Sequence, residues 1–187
     1  MFRGLATAVL LMGIASSPAP AQTSQYVLSV GGSQLQCQSW RGERVPIRFN
    51  HSLPQVGRAY RSSDGRPVIE INPGILNQFS SPVARWWFAH ECAHHELPPV
   101  ANSEKQADCR AARKLRSAGL LQSADLDHFH RELRFVPASA MGHLPGPDRA
   151  EHVRKCFGAT QQFAQSGRSN AQEAKPAPLP KIERQAP

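Results

Sequence analysis

The residues of this chain that could do chemistry are concentrated in five positions, His90-Glu91-Cys92-Ala93-His94. Histidines four positions apart on a helix lie on one face, one turn above the other, so two imidazoles can bind a single metal ion. Glu91 follows the first histidine and can act as a general base toward a water molecule activated by that metal. The pattern predicts that His90 and His94 are zinc ligands and that Glu91 is catalytic.

A third metal ligand is expected just downstream, where Glu104 and Asp108 lie in the first turns of another helical segment. Hydrolytic zinc sites take three protein ligands, and two histidines with one glutamate is an established set. We expect Glu104 to be the third ligand. Asp108, one turn further along the same face, is expected to accept the free ring N–H of a ligand histidine. Aspartate also coordinates zinc, so Asp108 as the third ligand stays open.

Two predicted helices must position these side chains. The first is expected over about 83–95, because Pro82 suits a first helical turn and Leu97-Pro98-Pro99 must end the helix. The second is expected over about 104–118, with Ser103 as its N-cap. The residues directly before the metal-binding pattern are apolar, which predicts a buried helix. A buried face of histidine and glutamate would be costly without a metal.

The segments upstream of these helices have the pattern of strands. Strands are predicted at 26–30, 34–40, 45–49 and 67–72, and Pro46 indicates an edge strand. Further helices are expected from Ser123 through Leu133 and over about 148–163. This order predicts an α+β fold, in which a small N-terminal antiparallel sheet packs on a helical bundle that carries the metal-binding helix.

The composition predicts one exported domain. The chain has 187 residues, 40% hydrophobic and 19% charged, which excludes a wholly disordered chain and large multidomain machinery. Arg3, the apolar run 5–15 and the small residues Ala19-Pro20-Ala21 predict a cleavable signal peptide over 1–21, hence a periplasmic or secreted location. The domain is expected to span 22–165, and the Pro-, Gln- and Ala-rich basic segment 166–187 to be a disordered tail.

Four cysteines follow the predicted signal peptide, at Cys37, Cys92, Cys109 and Cys156. An even number in an exported chain favours two disulfides, with three possible connectivities. Cys92 lies two positions from both ligand histidines and so faces away from the metal. We favour Cys92–Cys109, which would join the two ligand-bearing helices, together with Cys37–Cys156. The other two connectivities and partial reduction stay open.

The sequence resembles the gluzincin metallopeptidases, especially the family of the heat-shock protease HtpX and the CAAX prenyl proteases. The resemblance rests on His-Glu-x-x-His at 90–94, on Glu-x-x-Ala-Asp at 104–108 and on the histidine-to-arginine segment 143–149, and it covers roughly residues 68–157. It implies a zincin-like fold, one zinc ion and the ligand and base assignments given above. It also implies that His143 and Arg149 contact the oxyanion or the substrate, in a small exported relative without membrane spans.

These features predict a zinc metalloendopeptidase of the periplasm or cell envelope, acting on peptides or proteins that include envelope proteins. The strand around Val68–Ile71 is expected to offer an edge to an extended peptide. The alternative is a catalytically inactive zinc-fold binding or scaffold protein of the envelope. The net charge of +8 predicts weak association with anionic surfaces. No motif for specific nucleic-acid recognition accompanies this charge.

Overall fold

A computed structural model describes residues 25–158 of the chain. Short strands precede helices, so the predicted α+β class is confirmed. The predicted signal peptide, 1–21, and the predicted tail, 166–187, lie outside the described residues. The strands are β1 (Leu28–Val30), β2 (Ser33–Leu35), β3 (Ile47–Phe49), β4 (Gly57–Arg61) and β5 (Pro67–Ile71). The helices are α1 (Pro73–Leu76), α2 (Ser81–Glu96), α3 (Glu104–Ser117), α4 (Leu126–Leu133) and α5 (146–158), with 3-10 turns at Pro99–Ala101 and Ser123–Asp125.

Two sheets form from the five strands. β1 and β2 make an antiparallel hairpin, and the other strands form a three-stranded sheet in the order β3-β5-β4. β4 is antiparallel to β5, but β3 is parallel to it, so the prediction of a wholly antiparallel sheet is wrong. The chain leaves β3, crosses to the far side of the sheet and returns through the β4–β5 hairpin, which gives β3 and β5 the same direction. Pro46 directly precedes β3 at the edge of this sheet, as predicted.

β5 is the central strand, and all five of its residues are buried although their sequence alternates. The polar member, Glu70, is buried because Arg58 lies 2.5 Å from its Oε2 and Asn50 donates to its Oε1 at 3.0 Å. Both edges of β5 are paired, so the prediction that Val68–Ile71 offers an edge to a peptide is wrong. The outer strand on the α2 side is β4, which the sequence pattern did not predict.

α2 is surrounded by other elements and contributes two of the largest side chains of the core. It packs against α3, α4, β1, β4 and β5, and Trp86 and Phe88 are buried. Pro82 lies in its first turn and Leu97 is its C-cap, so the predicted limits are confirmed. α3 also begins where predicted, because the Ser103 side chain accepts a hydrogen bond from the Gln106 backbone in a capping box. Within residues 25–158, no helix combines the length and apolar character that a membrane span requires.

The disulfides join Cys37 to Cys92 and Cys109 to Cys156, with Cα–Cα distances of 5.5 and 4.9 Å, so the favoured pairing is wrong. Glu104 and Asp108 face the histidines of α2 from α3, whereas Cys109, about 100° further around that helix than Asp108, faces α5. Cys92 therefore pairs with the segment after β2, whose backbone lies against α2. The two bridges are compatible with an exported protein.

Candidate metal centre

Side chains from α2 and α3 meet at one point. The Nε2 atoms of His90 and His94 are 3.2 Å apart, and Glu104 Oε2 lies 3.1 Å from the first and 3.3 Å from the second. Tetrahedral zinc with bonds of about 2.0–2.2 Å holds neighbouring ligand atoms about 3.3–3.5 Å apart. The structure thus brings together the three predicted ligands at the spacing that a metal ion requires.

The surroundings of Glu104 indicate whether the three candidate ligands suit a cation. Its Oε2 atom is buried and has no hydrogen-bond partner among the described residues, since none of the nearby imidazoles contacts it with hydrogen-bond geometry. Burial alone would raise the pKa of Glu104, but the imidazoles of His143, His90 and His94 outweigh burial and hold that pKa well below its usual range. The Nε2 atoms of His90 and His94 lie 3.1 and 3.3 Å from this oxygen and are not hydrogen-bonded to it, so their lone pairs repel one another at a cost in free energy. A bound cation removes that cost, so the donor set fits a metal.

Asp108 supports His90 from the side opposite to this point. Its Oδ1 lies 2.8 Å from His90 Nδ1, so the ring donates from Nδ1 and leaves Nε2 free for a metal. Burial alone would raise the pKa of Asp108, but its contacts with His90 and Arg149 lower it. Burial alone would lower the pKa of His90, but Asp108 and Glu104 raise it. This placement favours Glu104 as the third ligand and Asp108 as the residue that holds the His90 ring in position.

Arg149 lies behind His90 and does not line the cleft, although the resemblance placed it at the substrate. The side chain is 1% exposed. Its Nη2 is 2.7 Å from Asp108 Oδ1 and its Nε is 3.0 Å from Asp108 Oδ2. The guanidinium also stacks on Trp86 and Trp87, with its central carbon 4.8 and 4.6 Å from their ring centroids. Arg149 therefore holds the carboxylate that in turn holds His90.

Asn102 gives His94 a matching support that the sequence pattern did not predict. His94 Nδ1 lies 2.8 Å from Asn102 Oδ1, and Asn102 Nδ2 donates to the His94 carbonyl at 2.9 Å. The ring therefore donates from Nδ1 and directs Nε2 toward Glu104. The short interval between His94 and Glu104 is the sequence feature that could have indicated Asn102, because it keeps the whole connection close to the ligands.

His143 reaches the same point from the loop before α5. Its Nε2 is 2.5 Å from Glu104 Oε2, and its Nδ1 lies 2.8 Å from Ser139 Oγ. Ser139 was not predicted from the sequence and fixes the orientation of the His143 ring. His143 lines the cleft together with the ligands.

Glu91 lies at the floor of this cleft, which has a volume of about 370 Å³. Strand β4 lines the cleft, and Leu97, Pro99 and Met141 also line it. The β4 backbone runs directly beside Glu91, because a Cβ atom at Gly57 would lie only 3.0 Å from Glu91 Cγ. The candidate base is therefore confined between β4 and the candidate ligands.

His95 does not join the metal-binding group. Its side chain is buried, and its Nε2 donates to the Val68 carbonyl at 3.0 Å. Burial lowers the pKa of His95, which keeps the ring neutral near pH 7. The residue joins α2 to β5.

No family model, curated protein or solved structure matches the chain. The relation to the gluzincins therefore stays a prediction from the sequence motifs.

Proposed function

We propose that this chain is a zinc-dependent metallopeptidase of the gluzincin type. The observation that carries the proposal is the convergence of His90 Nε2, His94 Nε2 and Glu104 Oε2 beside Glu91 on the floor of a cleft. Two histidines and one carboxylate are a donor set of catalytic zinc. When bound, zinc supplies Lewis acidity, which lowers the pKa of water and polarises a carbonyl group.

Residues of the chain provide proton transfer, oxyanion stabilisation and positioning of a ligand. Glu91 accepts the proton of the attacking water and delivers it to the leaving amine. His143 lines the cleft and donates a hydrogen bond to the oxyanion as it develops, with its ring held by Ser139. Arg149 acts through Asp108, because its side chain is buried behind His90. His143 is thus the oxyanion contact, and Arg149 positions a ligand.

β4 is the strand to which we assign substrate binding. It is an outer strand of its sheet and forms one wall of the cleft, so an extended peptide could pair with its backbone. Such pairing would carry a peptide past Glu91. We infer that the substrates are extended segments of peptides or proteins of the cell envelope, since the two disulfides suit an exported enzyme.

The test is Glu91→Gln, which removes the base and keeps the shape. We expect purified wild-type protein to contain one zinc per chain and to cleave an unfolded protein substrate. The variant should keep its zinc and lose activity by at least about 100-fold, the contribution typical of a general base. Glu151→Gln, at an exposed ion pair on α5, is the matched control and should keep both zinc and activity.

The same measurement distinguishes a metallopeptidase from the alternative, an inactive zinc-binding scaffold protein of the envelope. That protein would contain zinc but cleave nothing, either as wild type or as Glu91→Gln. A chain that neither contains nor takes up zinc would contradict both functions.

A further inference from the structure

A second group of metal-ligating side chains lies outside the cleft, between α3 and α5. His152 and Cys156 are four residues apart on one face of α5, and Cys109 faces them from α3. His152 Nε2 is 3.5 Å from Cys109 Sγ and 3.6 Å from Cys156 Sγ. The arrangement repeats that of the candidate metal centre, in which one helix supplies two ligands four residues apart and α3 supplies the third.

The nitrogen-to-sulfur distances are those of a tetrahedral zinc site. Bonds of about 2.1 Å to nitrogen and about 2.3 Å to sulfur place these atoms about 3.6 Å apart at the tetrahedral angle. Both observed distances agree with this value. The two sulfurs, however, are joined in a disulfide, whereas two thiolates on one zinc ion lie about 3.8 Å apart. The geometry therefore suits a metal only after the bridge has opened.

We propose that Cys109, Cys156 and His152 form a second metal site, for zinc or another thiophilic divalent cation, when the Cys109–Cys156 disulfide is reduced. A dithiol reductant breaks the sulfur–sulfur bond by exchange, so that both cysteines become thiols and the reductant becomes a disulfide. Binding of the cation then releases the two thiol protons. A water molecule completes the four ligands.

His152 must also present its lone pair to the cation. Its Nε2 lies 3.0 Å from the Lys105 carbonyl oxygen, a contact in which Nε2 carries the proton. Metal binding therefore uses the other tautomer, with the proton on Nδ1. This exchange gives up one hydrogen bond at a partly exposed side chain, which costs little compared with a metal–nitrogen bond.

The two disulfides differ in their exposure to a reductant. Cys37 and Cys92 are both buried, whereas Cys109 is partly exposed and lies beside a partly exposed His152. Exchange requires access of the attacking thiolate to a sulfur atom, so the Cys109–Cys156 bridge opens first in the folded protein. The site uses no residue of the cleft, and its existence does not depend on the proposed peptidase activity.

The experiment compares cobalt uptake by the oxidised and reduced wild-type protein. One sample is reduced without oxygen by a phosphine, which is then removed, and both samples are titrated with Co²⁺. We expect the reduced protein to bind one additional equivalent, with visible bands of tetrahedral cobalt and a sulfur-to-cobalt charge-transfer band. Because the difference between the samples is measured, cobalt bound in the cleft of both does not affect the result.

Variants identify the residues that bind the additional equivalent of cobalt. Cys109→Ser should abolish it, and His152→Ala should weaken it by at least about tenfold, since even the loss of a supporting partner typically costs that much. His130→Ala, a histidine of α4, is the matched control and should change nothing. The double variant Cys37→Ser/Cys92→Ser should keep the additional equivalent. No additional uptake on reduction would overturn the proposal. So would additional uptake with unchanged affinity in His152→Ala, or additional uptake that is lost in Cys37→Ser/Cys92→Ser.

Discussion

Arg149 and Asp108 form an ion pair that is almost completely buried behind His90, with side-chain exposures of 1% each. The pair is bidentate, and the guanidinium also stacks on two indole rings. Removing one partner of such a pair leaves an uncompensated charge in the interior, which costs far more than an exposed pair contributes. Loss of either partner is therefore expected to cost stability as well as the support of His90.

We expect Arg149→Met to lower the free energy of unfolding by about 3–5 kcal/mol, because Asp108 would remain buried without its partner. Urea unfolding followed by circular dichroism measures the change. Arg154→Met is the matched control, since Arg154 lies on the same helix in an exposed pair with Glu151 and should leave the unfolding midpoint unchanged. Equal losses in the two variants would contradict this account.

The ligand side chains could be predicted from the sequence because helical spacing alone decides which residues share a face. His90, His94, Glu104 and Asp108 all satisfy that rule. Asn102 could not be predicted in the same way, since it lies in a connection whose path depends on the packing of both helices. Ser139 and the burial of Arg149 likewise depend on how the segment before α5 returns to α2.

At the scale of elements, the helices were predictable and the sheet was not. Pro82, Ser103 and Leu97-Pro98-Pro99 set the helix ends through local chemistry. β4 has the sequence Gly-Arg-Ala-Tyr-Arg, in which one residue alone strongly favours strands. Its place is fixed by pairing with β5, and the parallel β3 follows from a crossover that no local pattern encodes. The disulfides depend on the same long-range packing.

Gly57→Ala tests the contact between β4 and the base. The added methyl group would lie 2.8 Å from Ile71 Cδ1 and 3.0 Å from Glu91 Cγ, so Glu91 must shift. The required shift of Glu91 is a few tenths of an ångström. Since a displacement of about 1 Å can cost about 100-fold, we expect peptide hydrolysis to fall by less than that, roughly two- to tenfold, while the zinc content stays at the wild-type level. Turnover numbers and metal analysis measure the two effects. Wild-type turnover in this variant would show that β4 does not position the base.

His95 predicts a pH dependence at the junction of α2 and β5. Its folded-state pKa is lowered by burial from an ordinary value of 6.5, so the unfolded chain takes up a proton first as the pH falls. The stability that His95 contributes is complete above pH 6.5 and is lost as the pH falls through the folded-state pKa. Unfolding free energies of wild type and His95→Gln, measured at successive pH values, should converge as the pH is lowered below 6.5. A constant difference would contradict the assignment.

At the scale of the whole molecule, the two disulfides close separate and successive loops, 37–92 and 109–156. The first contains the three-stranded sheet and most of α2, and the second contains most of α3, all of α4 and most of α5. His90 of α2 lies within the first loop, whereas His94, at the end of α2, and Glu104, at the start of α3, lie in the interval 93–108 between the two loops. The candidate metal centre therefore connects regions that neither covalent bridge joins.

We expect zinc to stabilise the entire fold rather than a local segment. With free zinc at about 1,000 times its dissociation constant, the free energy of unfolding should rise by about 4 kcal/mol relative to protein in chelator. Denaturant unfolding under the two conditions measures the difference. His94→Ala should lose the zinc effect, and His128→Ala, an exposed histidine of α4, should keep it. An unfolding midpoint independent of zinc in the wild type would refute this expectation.

The position of Arg149 has a consequence for biosynthesis. The guanidinium that secures Asp108, and through it His90, belongs to the last described helix, so this anchor is absent until almost the whole domain has been made. A nascent or clipped polypeptide that ends before that helix keeps all three candidate ligands and Asp108 but lacks the guanidinium that holds Asp108 against His90. We therefore expect full metal affinity only in chains whose synthesis has continued through this helix.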